Sequence, residues 1–338
     1  MRIGLPICLA ATLLLAACAT RSETKAPYAV EPLPAPASYV RLLNSSNTLQ
    51  LQIAARKFVA ARGRHPFIWL VGVSHIGEPQ YFSALQNHLE DQTVVLFEGI
   101  SDSRATAPTV NSETNVESGP AESSGDRKKL SSLQVSMAET LGLAFQLEAI
   151  DYTRDNFVNS DLSIQEIREI IAQTAAGASF DSLVQMMEGG SWLDTILQLA
   201  FRFLSASPKL QGLGKLALME TIAEIQGDPG QMRGLPADLK QLLEVLIARR
   251  NEKVIADLKN KLTDMKPGDS AAIFYGTGHM PDLEIRLRRE LNYRPANELW
   301  FTAFSVDKSA AGITEKEHEF VRSFIRQQFQ QLKANEKP

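Results

Sequence analysis

The sequence of 338 residues is poor in cysteine, with two, Cys8 and Cys18. Beyond Cys18 there is no thiol, which excludes disulfide staples, thiolate metal sites and cysteine nucleophiles from the rest of the chain. An excess of basic charge is also lacking. The net charge is -4, so no electrostatic footprint for nucleic acid exists. Long apolar runs are scarce outside the first residues. The nearest, Trp192 to Leu204, contains Asp194 and Arg202. It reads as a buried helix, with a lid or membrane-touching helix as the alternative.

The exception is at the N-terminus. Arg2 gives a positive start, and Ile3 to Ala17 is almost wholly apolar. That stretch is too short to span a bilayer, which takes ~20 residues. It reads as a secretory signal over 1–17. The exit, Leu15-Ala16-Ala17-Cys18, has the order of a lipobox. Cys18 is therefore the expected site of lipidation and the expected membrane anchor. Ala19, not aspartate, follows, which favours the outer membrane by analogy with lipoprotein sorting. The expected location is the cell envelope, on the periplasmic face.

Hydrophobic residues make up 44% of the chain, enough for a full core. Residues 18–45, rich in Ala, Pro, Ser and Thr, read as the lipidated cysteine and a flexible linker. The remainder suits one large domain or two small ones. Thr48 to Val59 followed by Gly63-Arg64-His65-Pro66 and Phe67 to Val71 predicts a hairpin. Pro79 to Leu89 predicts a helix, with Phe82, Leu85 and Leu89 on one side. Val94 to Phe97 predicts a second core strand, Phe145 to Ile150 a third, Ala271 to Tyr275 a fourth and Leu299 to Val306 a fifth. Leu133 to Leu143 predicts a helix. Residues 101–129 are polar and read as a disordered insertion. Ser163 with Glu166, and Thr314 with Glu317, predict capping boxes. A long helix is expected from Pro236 to about Met265, closed by Lys266-Pro267-Gly268-Asp269. Strands alternating with helices predict an α/β fold with a mixed, mostly parallel central sheet flanked by helices. The domain is expected over 46–310, with a helical insertion at 163–265 and a C-terminal amphipathic helix at 311–338.

Four polar residues share one expected address. His75, Glu98, Asp151 and His279 each follow the carboxyl end of an apolar run. Ligands of open α/β sheets bind outside those ends. Two of the ends carry one local pattern, Gly72-Val73-Ser74-His75 and Gly276-Thr277-Gly278-His279. Two imidazoles with one or two carboxylates can hold a divalent ion. Without metal, the same groups can run general acid–base chemistry. Asp151 can instead cap the turn that follows it.

Arg250 falls on the apolar stripe Leu239, Leu242, Leu243, Leu246, Ile247, Val254 and Leu258, whereas Arg249 falls off it. An inward guanidinium needs an anionic partner, Glu98 or Asp151, or stabilises an oxyanion. The alternative is an arginine that snorkels outward. His65, His88 and His318 read as solvated surface.

These stretches resemble the TraB/PrgY/GumN family, which is related to the Tiki proteases. More distant kin are erythromycin esterases and ChaN-type haem-binding lipoproteins. The resemblance rests on Leu70 to Gly77, Val95 to Gly99, Phe145 to Tyr152, Arg250-Asn251-Glu252 and Tyr275 to Met280. Ala248 stands where many relatives carry an acidic residue. The resemblance implies that His75, Glu98, Arg250 and His279 form the site. It implies a metal-dependent, peptidase-like hydrolase acting on an amide or ester bond. His75, His279 and Glu98 would hold Mn, Co or Zn, with Asp151 beside them or as an additional ligand. The alternative it leaves open is a non-catalytic lipoprotein that binds a peptide or haem in the same crevice.

Overall fold

A computed structural model describes residues 34–99, 139–172, 207–225 and 237–334. The first strand, β1 (Val40–Asn44), turns into the long β2 (Thr48–Ala60), and both are antiparallel. β1 therefore lies inside the segment expected to be linker. β2 passes through Gly63, whose φ of 76° suits the expected turn, into β3 (Phe67–Val73). Along one edge β2 pairs first with β1 and then with β3, and along its other edge it pairs with β9 (Tyr293–Asp307). The remaining strands of this sheet are β5 (Val94–Phe97), β7 (Phe157–Asn159) and β8 (Ser270–Gly276). β3, β8, β5 and β7 run parallel in that order. A separate small pair joins β4 (Ile76–Gly77) to β6 (Ala144–Phe145). The fold is α/β, with a mixed sheet.

Parallel strands covered on both faces are apolar at nearly every position. Phe67–Val73, Val94–Phe97 and Ser270–Gly276 fit that pattern, and their side chains divide between two cores. On one face Val71, Val73, Val95 and Phe274 pack with α1 (Pro79–Glu90) and with α4 (Pro208–Ile225). On the other, Leu70, Leu96, Ile273 and Tyr275 pack with α5 (Ala237–Asp264) and α6 (Met280–Glu290). Each fully buried leucine or isoleucine contributes about 1.5–3 kcal/mol. α2 (Gln146–Ala149), α3 (Ile164–Ala172) and α7 (Glu315–Ala334) complete the described helices.

Both capping boxes form. Ser163 N–H donates to Glu166 Oε2 at 2.8 Å, and Glu166 N–H to Ser163 Oγ at 3.2 Å. Thr314 N–H donates to Glu317 Oε2 at 2.9 Å, and Glu317 N–H to Thr314 Oγ1 at 3.3 Å. The expected break before the fourth strand also forms, with Gly268 at φ 106°, a conformation glycine adopts without strain.

Three expectations are corrected. Phe145 to Ile150 is not a strand of the main sheet. Only Ala144–Phe145 is extended, and Gln146–Ala149 is helical, with Gln146 buried and Leu147 57% exposed. The neighbour of β5 is instead β7, twelve residues further on. His318 is not solvated. It is 2% exposed, between α7 and α4, with Nε2 3.3 Å from Glu220 Oε1. His88 is half-buried, its ring 4.7 Å from that of Trp69 and 5.7 Å from that of Phe301. His65 is exposed, as expected.

A buried polar knot ties the start of the domain to α6. Tyr39 Oη donates to Glu284 Oε2 at 2.8 Å, and Arg56 Nη1 donates to the same oxygen at 2.6 Å. Arg56 also reaches the Ala37 and Ser38 carbonyls at 3.3 and 3.4 Å. Among the described residues no helix is long and apolar enough to cross a membrane. Trp192 to Leu204, the 101–129 insertion and most of Leu133 to Leu143 lie outside the described residues. So do the signal, Cys18 and the side chains of Leu239, Leu242 and Leu243.

Candidate functional site

The four parallel strands end on one side of the sheet, and each hands over a polar residue there. β3 leads to His75, β5 to Glu98, β7 to Ser160-Asp161 and β8 through a 3-10 turn, Thr277–His279, to His279. Arg250 reaches the same place from α5. Glu98 sits at the centre. Its Oε1 accepts from Arg250 Nη2 at 2.6 Å, and its Oε2 accepts from the Gly276 N–H at 2.7 Å. His279 Nε2 lies 3.7 Å from Glu98 Oε1 and 3.4 Å from Arg250 Nη1.

Asp161 is the acidic residue that sequence reasoning missed. Its side chain is fully buried, and it grips Arg250 with both oxygens, from Nε at 2.8 Å and Nη2 at 2.6 Å. The Gly99 N–H adds a third donor at 3.1 Å. Asp151 is not brought into the cluster. It is exposed, accepts from Thr153 N–H and Oγ1 at 3.0 and 2.6 Å, and pairs with Arg154 at 3.2 Å. It caps its own turn because β7 follows it, so residue 151 precedes the strand rather than ending one. The signal that could have found Asp161 was Arg250 itself. A buried guanidinium requires a carboxylate, and Asp161 follows the run Phe157-Val158-Asn159.

The two histidines differ in depth. His75 is exposed at the rim, and His279 is buried. Each has its Nδ1 against a side-chain amide oxygen, Gln146 Oε1 at 2.8 Å for His75 and Asn251 Oδ1 at 2.7 Å for His279. Gln146 Nε2 donates onward to Tyr152 Oη at 2.8 Å. Tyr275, whose ring lies 5.2 Å from that of His279, donates to the Ser160 carbonyl at 2.5 Å and so fixes the β7 end.

Burial alone would raise the Glu98 carboxyl, but Arg250, then His279, His75 and the Gly276 N–H outweigh it and hold it at about 2. Burial lowers His279 to about 4, against the pull of Glu98 and with the push of Arg250. Burial also works against the Arg250 charge, yet Asp161 and Glu98 hold it well above its ordinary value. Near neutral pH the cluster thus contains an ionised Glu98, an uncharged His279 and a charged Arg250. One guanidinium facing two carboxylates leaves one negative charge, which favours a cation.

Gly276 leaves a small cradle in this cluster. A β-carbon placed there would stand 3.3 Å from Glu98 Oε2 and 3.6 Å from His75 Nε2. Both donor atoms therefore border space that any other residue would fill. The donor types suit a divalent ion of the Mn, Co or Zn kind. His279 Nε2 lies 3.7 Å from Glu98 Oε1, so His279, Glu98 and His75 are the side chains that would hold such an ion. Against that, Arg250 lies beside the same two atoms. Among the described residues no group of three or more His, Cys, Asp or Glu side chains is already drawn together as a metal cage. No family model, curated protein or solved structure matches the chain.

Proposed function

We propose that the chain is a metal-dependent hydrolase of the TraB/GumN type. It would cleave a peptide amide or an ester at the cell envelope, tethered by lipid on Cys18. The observation that carries this reading is the Gly276 cradle, bordered by Glu98 Oε2 and His75 Nε2 with His279 beyond. His75, His279 and Glu98 would hold the ion. When bound, the ion supplies Lewis acidity to a carbonyl and to water. A carboxylate held at about 2 is a poor proton acceptor near neutral pH. Its chemistry therefore suits a ligand better than a general base. Arg250, fixed by Asp161, keeps its charge and can face an oxyanion through Nη1. His75, at the exposed rim, sets the side from which a substrate enters.

One observation favours a second reading, a non-catalytic pocket for a peptide or haem. Arg250 already lies within hydrogen-bond reach of Glu98 Oε1 and close to His279 Nε2.

Metal content of the purified full chain, beside His75→Ala and His279→Ala, separates the two. Bound Mn, Co or Zn lost in both variants, with metal-dependent cleavage of peptide or ester substrates, supports the hydrolase. No metal in any form and no rate gain on adding these ions sinks it. A haem absorption band abolished by both substitutions supports the pocket instead.

A further inference from the structure

Asn251 is fully buried on α5, next to Arg250. Its amide cannot be turned over. Asn251 Nδ2 faces two acceptors, the His279 carbonyl at 3.2 Å and Asp282 Oδ2 at 2.8 Å. Neither can donate, so the NH2 group must be on that side. Asn251 Oδ1 is then left facing His279 Nδ1 at 2.7 Å. An amide oxygen only accepts, so Nδ1 must carry the proton. On the opposite side of the ring, Arg250 Nη1 approaches Nε2 at 3.4 Å. A guanidinium only donates, so Nε2 must carry the lone pair. The two sides of the imidazole are thus assigned by different neighbours, and they agree.

The second imidazole lacks this lock. His75 Nδ1 faces Gln146, but Gln146 leans on the Tyr152 hydroxyl. A hydroxyl both donates and accepts, so that chain of hydrogen bonds can run either way. The two histidines share a sequence pattern and a place at a strand end. Only His279 has its tautomer dictated by a carboxylate.

We infer that Asn251, oriented by Asp282, is a positioning residue that fixes His279 as the Nδ1–H tautomer and aims its Nε2 lone pair at the Glu98 side of the crevice. Asn251 touches neither substrate nor ion in this scheme. Its effect on turnover rests on the hydrolase reading, whereas the tautomer is read without any substrate. Partners of this kind fix ring orientation and ligand basicity.

The test is a long-range proton–nitrogen spectrum of the full chain labelled only at histidine, of which there are five. His279→Gln assigns the His279 signals. In the metal-free wild type, His279 should show a protonated Nδ1 and a bare Nε2. In Asn251→Ala both nitrogens should move to intermediate positions, as the tautomers mix. Asp282→Ala, at a partly exposed position, should cause a smaller move in the same direction and guards against a misfolded Asn251→Ala. Asn251→Ala should also lower kcat about 10- to 100-fold with KM near wild type. A wild-type His279 protonated at Nε2 overturns the inference. So do His279 signals that stay unchanged in both variants. If no form hydrolyses anything while the spectra behave as expected, the hydrolase reading falls and the positioning role stands.

Discussion

Asp161 closes both carboxylate oxygens on the guanidinium of Arg250, at 2.8 and 2.6 Å. The pair joins the end of β7 to α5, and the same Nη2 also holds Glu98. Removing one partner of such a pair leaves the other charged and buried. Asp161→Ala should therefore destabilise the chain by about 3 kcal/mol or somewhat more. Chemical denaturation of wild type and variant checks this, and an unchanged midpoint would contradict it.

Arg250→Lys tests geometry at constant charge. Lysine is a compact point charge and lacks the planar fork that reaches Glu98 and Asp161 together. On the hydrolase reading, kcat should fall about 10²- to 10³-fold, the range for losing one fixed donor to a developing oxyanion. Steady-state kinetics on peptide and ester substrates measure it. A lysine variant with wild-type kcat would remove Arg250 from the chemistry.

Stability should fall with pH in two stages in the metal-free chain. His279 titrates at about 4 when folded, and an unfolded histidine at about 6.5. Between those values the unfolded chain binds the extra proton, so stability is full above about 6.5 and declines down to about 4. Glu98 titrates at about 2 when folded, against about 4.3 unfolded. Its contribution is present above about 4.3 and is lost as pH falls through about 2. Denaturant midpoints measured across this range should therefore drop throughout. His279→Gln should abolish the upper stage and, by removing one of the charges that hold Glu98 down, shrink the lower one.

Gly276→Ala should separate folding from binding. Gly276 has φ -51°, which alanine adopts freely. The added methyl would press on Glu98 Oε2 at 3.3 Å and occupy the space beside His75 Nε2 at 3.6 Å. The thermal midpoint should stay near wild type, while metal affinity falls about 10- to 100-fold. Calorimetric titration with Mn, Co or Zn reads the loss. Undiminished affinity would move the ion away from this cradle.

Much of this arrangement was legible in the chain. Phe67 to Val71, Val94 to Phe97 and Ala271 to Tyr275 are apolar throughout, and that pattern belongs to buried parallel strands. It was enough to bring His75, Glu98 and His279 to one side of one sheet. Helical periodicity put Arg250 on the apolar stripe but left open whether it turned inward or snorkelled out; its bonds to Asp161 and Glu98 turn it inward. What failed was the strand beside β5. Phe145 to Ile150 is the longer run, but the strand is the three-residue Phe157–Asn159. A segment so short has no periodicity to read, and its place depends on pairing with Val95 to Phe97. The error carried the carboxylate with it, from Asp161 to Asp151. His318 failed for a related reason. Its neighbours in sequence are charged, while its neighbour in space, Glu220, lies on another helix.

The knot of Tyr39, Arg56 and Glu284 has a mechanical consequence. The chain enters the domain at Ala37 to Tyr39, where Arg56 and Glu284 hold it from the side. A pull on the N-terminal segment reaches those side chains before it reaches the ladder between β1 and β2. The first bonds to carry that load are those of the Tyr39 hydroxyl to Glu284 on α6 and of Arg56 to the Ala37 and Ser38 carbonyls, so the β1–β2 ladder is loaded second.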